Sequence, residues 1–444
     1  MNPPSTVKFF RFPWKANLSD SSLLLRFIII AAMTASRKYL FIDKVLNDRK
    51  EQQRFRKLRP IEPLSEGKVA IEGKTVINFS SNDYLGLSQH PLLIETAQTY
   101  LKRYGAGATA SRLVTGSYEI HEQLEYEFAQ FLNREASLLF TSGFQANSTL
   151  LPTLFDRSSL IFCDRLIHNS LVQGILASQA TFIRYRHNDL THLKKCLDHH
   201  YEKYQAGHYN RLGIVTETIF SMDGDRSNLE ILVSLADQYD TWLYLDDAHG
   251  LGVYGEQGEG LAAVYPRVDV TIGTLGKAFG SFGAIVGCNQ RLKDYWINTC
   301  PGLIYTTALP PSVIGSVTAA LRLMPTLKND RQRLFWGGQQ LQQTLRTLGY
   351  QTASEASHIL PLILGSPQLA IVLESYLQDH GILATAIRSP TVPVGSDRLR
   401  FALSSVHQAE DYDRLFRSLL DFQQSRVGQS LAGENLNFVN SFQH

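Results

Sequence analysis

From about Ser137 the chain alternates short apolar runs with stretches of helical length, the pattern of parallel strands joined by helices. The runs predict strands at Ser137 to Ser142, Ser159 to Asp164, Thr181 to Tyr185, Gly213 to Thr218, Trp242 to Asp247, Val270 to Leu275 and Gly283 to Cys288. Together they make one large, mostly parallel seven-stranded sheet in an α/β fold. The intervening "NLEILVSLADQYD" places Leu229, Ile231, Leu232, Leu235 and Ala236 on one helical face. After "ALPPSV" (Ala308 to Val313) the texture turns to long polar helices such as Lys328 to Gly349, and the double proline suits a helix start. This predicts a leader at 1–37, disordered or foreign to the native protein, and an N-terminal segment at 38–90. A large domain follows at 91–311, then a smaller α+β domain at 312–422 and a flexible tail at 423–444.

A chain of 444 residues exceeds the roughly 250 to 300 at which single cores stop growing, so more than one domain is expected. With 43 Lys and Arg against 41 Asp and Glu, the net charge of +2 offers nothing to a nucleic acid or an anionic membrane. A small-molecule enzyme fits better. The four cysteines form no CxxC pair, so no metal site or disulfide framework is expected, and a reducing cytoplasm is the default location. Near the start, "LLLRFIIIAAM" (Leu23 to Met33) is apolar but too short to span a bilayer, which takes about 20 residues. It reads as sequence ahead of a true start at Met33, as a disordered leader, or as an export signal.

Ligands of open α/β sheets sit beyond the carboxyl ends of the strands, so the residues that follow each strand carry the chemistry. "SGFQAN" puts Gly143 and Phe144 at a helix mouth, where free N–H groups favour a phosphate; an ordinary turn would look the same. His168 follows the second strand and Ser221 the fourth, and each alone is equally a structural residue. "YLDDAHG" is harder to dismiss. Asp246 ends an apolar strand and needs a cationic partner to stay ionised, with His249 three residues on. "TLGKAFGSFG" then delivers Lys277 to the same edge, behind Thr274. Gly276 is expected to let the backbone turn, and Gly280 and Gly283 to pack the loop on the next strand. A lysine for a Schiff base, a carboxylate for a ring nitrogen and a helix mouth with a hydroxyl for a phosphate are what pyridoxal 5'-phosphate requires.

With these pieces the chain resembles the fold-type I pyridoxal-phosphate enzymes, and within them the α-oxoamine synthases. The resemblance runs from about Lys38 to Phe422 through "NFSSNDYLGLS", "GAGATASRLVTGSYEIHEQLE", "SGFQAN", "DRLIHNS", "FSMDGD", "DDAHG", "TLGKAFG", "TTALPP" and "TVPVGSDRLR". It implies that Lys277 carries the cofactor, Asp246 pairs with its ring nitrogen and His168 stacks on the ring. It also implies that His249 and Ser221 contact the ring hydroxyl or its surroundings, while Thr274 and the Gly143 and Phe144 backbone hold the phosphate. Arg400 would bind the amino acid carboxylate, with Asn82 and Arg388 in the substrate pocket. The family works as homodimers, so Thr307 would reach the neighbour's phosphate.

"ASRLVTG" (Ala110 to Gly116) is most like the members that condense L-alanine with a pimeloyl thioester, on coenzyme A (pimeloyl-CoA) or acyl carrier protein (pimeloyl-ACP), in biotin synthesis. Another amino acid or acyl thioester, and a catalytically silent subunit, stay open as alternatives.

Overall fold

The computed structural model describes residues 37–425, so the expectations for residues 1–36 and 426–444 lie outside the described residues. The described residues 37–59, which include the helix Leu40–Glu51, belong to a unit of their own. All that follows lies in the second unit, from Pro60 onward.

That unit opens with β1 (Glu62–Pro63), β2 (Lys68–Ile71) and β3 (Lys74–Asn78). The seven expected strands then appear as β4 (Ala136–Phe140), β5 (Ser159–Asp164), β6 (Thr181–Tyr185), β7 (Arg211–Glu217), β8 (Trp242–Asp246), β9 (Val270–Thr274) and β10 (Ala284–Cys288). They form one sheet in the order β4-β10-β9-β8-β7-β5-β6, in which only β10 runs antiparallel to its neighbours.

Alternation along the strands builds two cores. On β5, Leu160 and Phe162 enter one and Ile161 and Cys163 the other; on β8, Leu243 and Leu245 oppose Tyr244 in the same way. Helices Gly143–Leu154, Asn169–Ser178 and Gln290–Thr299 cover the Tyr244 face, and helices Leu190–Gln205 and Leu229–Gln238 cover the other. Each buried Leu or Ile contributes about 1.5–3 kcal/mol. A one-residue slip would invert every one of them, so the positions of the strand ends are fixed firmly.

The C-terminal part adds β11 (Ile359–Ile363), β12 (Ile382–Leu383), β13 (Thr385–Ile387) and β14 (Arg398–Ala402). Strands β11, β14 and β13 form an antiparallel sheet, while β12 joins β3 in parallel. Beyond β3 the chain stays bound to this sheet: Ala402 N donates to Phe79 O at 2.8 Å and Ser405 N to Tyr84 O at 2.7 Å. Asn82 and Tyr84 are thereby laid beside Arg400.

Two glycines of the Lys277 loop behave differently from expectation. Gly276 has no positive φ, and a Cβ there would come no closer than 3.6 Å to Ser281 O, so the turn does not require glycine. Gly280 does: its φ is +61°, and a Cβ would lie 2.4 Å from Ser88 N and 2.5 Å from Leu87 C. Gly280 therefore closes on the Leu87–Ser88 backbone rather than on the next strand. Gly280→Ala is expected to cost on the order of 2 kcal/mol or more, since both the dihedral and a backbone collision must be relieved, whereas Gly276→Ala changes stability by less than about 0.5 kcal/mol. Thermal unfolding of the two variants measures the contrast.

Candidate active site

Asp246 is the last residue of β8 and is buried. Its Oδ2 accepts from Asn147 Nδ2 at 2.7 Å and its Oδ1 from Ala248 N at 3.0 Å. The adjacent strand β9 ends at Thr274, whose hydroxyl donates to Ala248 O at 3.3 Å, and the turn beyond it carries Lys277. Lys277 Nζ lies 2.8 Å from His249 Nε2. Burial lowers the Lys277 amine to about 8, against the opposing pull of Asp246 and Glu217. The same burial, then the charges of Lys277 and Arg400, drive His249 well below its ordinary value, so its imidazole is neutral.

That neutrality assigns the protons. An ammonium can only donate, so Nε2 of His249 accepts and Nδ1 carries the hydrogen. Nδ1 then donates to the Tyr84 hydroxyl at 2.6 Å, and Tyr84 donates to Asn82 Oδ1 at 3.1 Å. Arg400, 7% exposed on β14, donates from Nη2 to Asn82 Oδ1 at 3.2 Å and from Nε to Ser221 O at 2.5 Å. One hydrogen-bonded path thus runs from the Lys277 amine to the Arg400 guanidinium. Behind it, Tyr84 packs edge-on against the fully buried His358, whose own ionisation burial pushes down to about 3.

The structure therefore brings together Lys277, His249, Asp246, Thr274, Ser221, Asn82 and Arg400. His168 opens to the same cleft as the N-cap of helix Asn169–Ser178, with Nδ1 2.8 Å from Ser170 Oγ. Gly143 is so close to Thr274 that a Cβ would sit 2.6 Å from its Cγ2, and Phe144 beside it is half exposed. Thr307 is exposed and bridges Ser111, away from this path, and Arg388 directly follows β13. Tyr84, Asn147, Ser170, Glu217 and His358 are additions that the sequence did not single out. Glu217 had a usable signal, because it ends an apolar strand as Asp246 does. The others acquire their place only through tertiary pairing.

Among the described residues, no cluster of His, Cys, Asp and Glu would hold a metal, and no helix is long and apolar enough to cross a membrane. The family profile of aminotransferase class I and II matches residues 74–419. The chain belongs to the aminotransferase class I and II family. Within it, the chain is a pyridoxal-phosphate-dependent transferase of the α-oxoamine synthase group. It is 46% identical over 375 residues to a Desulfosudis oleivorans protein provisionally named 8-amino-7-oxononanoate synthase, covering 84% of this chain and 96% of that one. It is 44% identical over 388 residues to the 8-amino-7-oxononanoate synthase of Gluconacetobacter diazotrophicus, covering 86% and 96%. Among solved structures, Sphingomonas wittichii serine palmitoyltransferase matches with a TM-score of 0.81 at 26% identity, covering 88% of this chain and 98% of that one. The 8-amino-7-oxononanoate synthase of Francisella tularensis matches at 0.67 and 29%, covering 81% and 98%.

The cofactor of this aminotransferase-family chain is pyridoxal 5'-phosphate, and the donor set fits it. Lys277 offers an amine that is partly unprotonated near neutrality, and Asp246 a buried carboxylate held only by neutral donors. The 12-residue helix Gly143–Leu154 opens its N-terminus beside the Thr274 side chain, whose methyl group lies against Gly143.

The loops at this edge are pinned by His187. Its Nδ1 lies 3.0 Å from Asp164 Oδ1 and its Nε2 3.0 Å from Asp225 Oδ2, with Phe220 edge-on at 4.4 Å. Burial alone would lower the imidazole, but the hydrogen bonds and charges of Asp164 and Asp225 raise it to about 10. A raised folded-state value means that this contribution is complete below the unfolded value near 6.5 and is lost as pH rises through about 10. The stability gap between the native chain and His187→Gln is therefore expected to be widest below pH ~6.5 and to shrink towards pH ~10, as chemical denaturation across that range would record.

Proposed function

We propose that the chain condenses L-alanine with a pimeloyl thioester, on coenzyme A or acyl carrier protein, releasing carbon dioxide and the free thiol and leaving 8-amino-7-oxononanoate. The path from the Lys277 amine through His249, Tyr84 and Asn82 to Arg400 carries the reading, because it sets a proton acceptor and a carboxylate clamp at two ends of one cleft. Relatives of that name at 40–46% identity support the choice of substrates.

Bound pyridoxal 5'-phosphate supplies an aldehyde that condenses with the amino acid and a ring that takes up the electron pair left at Cα. Arg400, held by Ser221 O and Asn82 Oδ1, orients the alanine carboxylate. Lys277, its amine lowered to about 8, takes the Cα proton as general base. His249 holds Nε2 towards Lys277 and keeps its neutral ring near the acyl carbonyl. Asp246, buried at the end of β8, would pair its carboxyl group with the ring nitrogen and favour the protonated ring. His168 would stack on the ring, and Thr274 with the Gly143 and Phe144 N–H groups would hold the phosphate.

A second reading, with serine and a longer acyl chain, draws on the higher TM-score of serine palmitoyltransferase, 0.81 against 0.67. Backbone superposition weighs less here than identity, because one fold hosts several substrates. We further propose a homodimer, in which the exposed Leu113, Val114, Phe282 and Tyr305 meet a second copy and Thr307 reaches its site.

Purified protein given each amino acid with pimeloyl-coenzyme A should release thiol with alanine and not with glycine or serine; the reverse preference would overturn the assignment. Lys277→Ala should lose at least about 10²–10⁴ in kcat. Arg400→Lys should raise the alanine KM by about tenfold or more, because an ammonium cannot reproduce the guanidinium fork. Light scattering should give twice the 49.9 kDa chain mass.

A further inference from the structure

Glu217 takes no part in the steps above, yet it occupies a central place at the active edge. It ends β7 with 2% exposure and pairs in register with Asp246 on β8. On its other side it reaches past β5: its Oε1 accepts the backbone N–H of His168 at 2.5 Å. The remaining links close a ring. Ser170 N and the Ser170 hydroxyl both approach His168 Nδ1, at 3.2 and 2.8 Å, so Nδ1 accepts and the ring proton sits on Nε2. Asn147 Nδ2 donates to Ser170 Oγ at 2.9 Å and to Asp246 Oδ2 at 2.7 Å, with Tyr244 donating to Asn147 Oδ1 at 2.8 Å. The circuit runs from Asp246 through Asn147, Ser170 and His168 to Glu217, and back to Asp246 through the β7–β8 pairing.

We propose that Glu217 is a positioning residue: lodged in the buried wall between Asp246 and His168, it accepts the His168 N–H and so fixes the imidazole beside Asp246 and Lys277. The His168 N–H needs an acceptor within the buried wall, and a carboxyl oxygen supplies one. The groups facing Glu217 are Asp246 on β8, Asp164 on β5, Lys277 beyond β9 and the His168 N–H. Burial raises the Glu217 carboxyl well above the usual carboxylate range, and Asp246 and Asp164 add to this; the His168 N–H and Lys277 oppose it without reversing it. An ionised Glu217 would compete with Asp246 for a cation on the same edge.

The test uses pyridoxal 5'-phosphate as the probe and needs neither amino acid nor thioester, so its outcome is separable from the substrate assignment. Its readouts are the Kd for the cofactor, from fluorescence quenching of the apoprotein, and the pH midpoint of the visible absorption band of the holoprotein. Glu217→Gln keeps an acceptor at the same reach, so for a positioning residue the band midpoint should stay within about 0.5 pH units of the native one; a larger shift means that Glu217 acts on this edge through its charge and overturns the proposal. Glu217→Asp withdraws the acceptor by one methylene, and the Kd should rise at least about fivefold, the size of one buried hydrogen bond left unmade. A smaller rise overturns the positioning role. Should Glu217→Asp fail to fold, the Glu217→Gln band midpoint and Kd, the latter expected within about twofold of native, still decide between the outcomes.

Discussion

The site is organised around a buried carboxyl group that, among the described residues, is hydrogen-bonded only by neutral donors. Asp246 makes no ion pair among the described residues; Asn147 and the Ala248 N–H support it with dipoles alone. A carboxylate at the end of a buried strand is costly to keep charged without a cation. The cations of this cleft, Lys277 and Arg400, are directed elsewhere, to His249 and to the Ser221 and Asn82 oxygens. This leaves an electrostatic demand that a protonated heteroaromatic nitrogen meets well, and the neutrality of His249 and His358 keeps further positive charge from answering it first.

The sheet was legible because its strands are buried on both faces, which leaves continuous apolar runs, and because ligands gather at the carboxyl ends of parallel strands. Asp246, Thr274 and Lys277 fall where those two rules place them. Tyr84 and His358 were not legible: one lies in a loop and the other at a strand start. Their contact depends on Phe79 to Tyr84 being zipped to β14 and the residues after it, more than 300 residues away along the chain. Glycine roles were half legible. The run "TLGKAFGSFG" signals close backbone approach, but it is the tertiary fold that brings Gly280 against Leu87 and Ser88 while Gly276 meets nothing closer than ordinary contact.

At the level of the family, sequence and structure agree on the aminotransferase class I and II fold and on its cofactor. They part over how close the relatives are. Serine palmitoyltransferase superposes better on this backbone, whereas the relatives with higher identity carry a different name. The difference is what a shared scaffold produces when substrate choice rests on a few side chains at loop tips.

The attachment of the small sheet has a mechanical consequence. Arg398 reaches Asp223 and Met222 O, Arg400 reaches Ser221 O, Arg226 pairs with Glu355, and Gly224 lies against Ile359 O. All four fastenings fall on the single turn from Ser221 to Arg226. Arg400, two residues from Arg398 on the same strand, is anchored on the same turn, so the place of its guanidinium across the cleft from the Lys277 amine is set by that turn rather than by the outer loops of the small sheet.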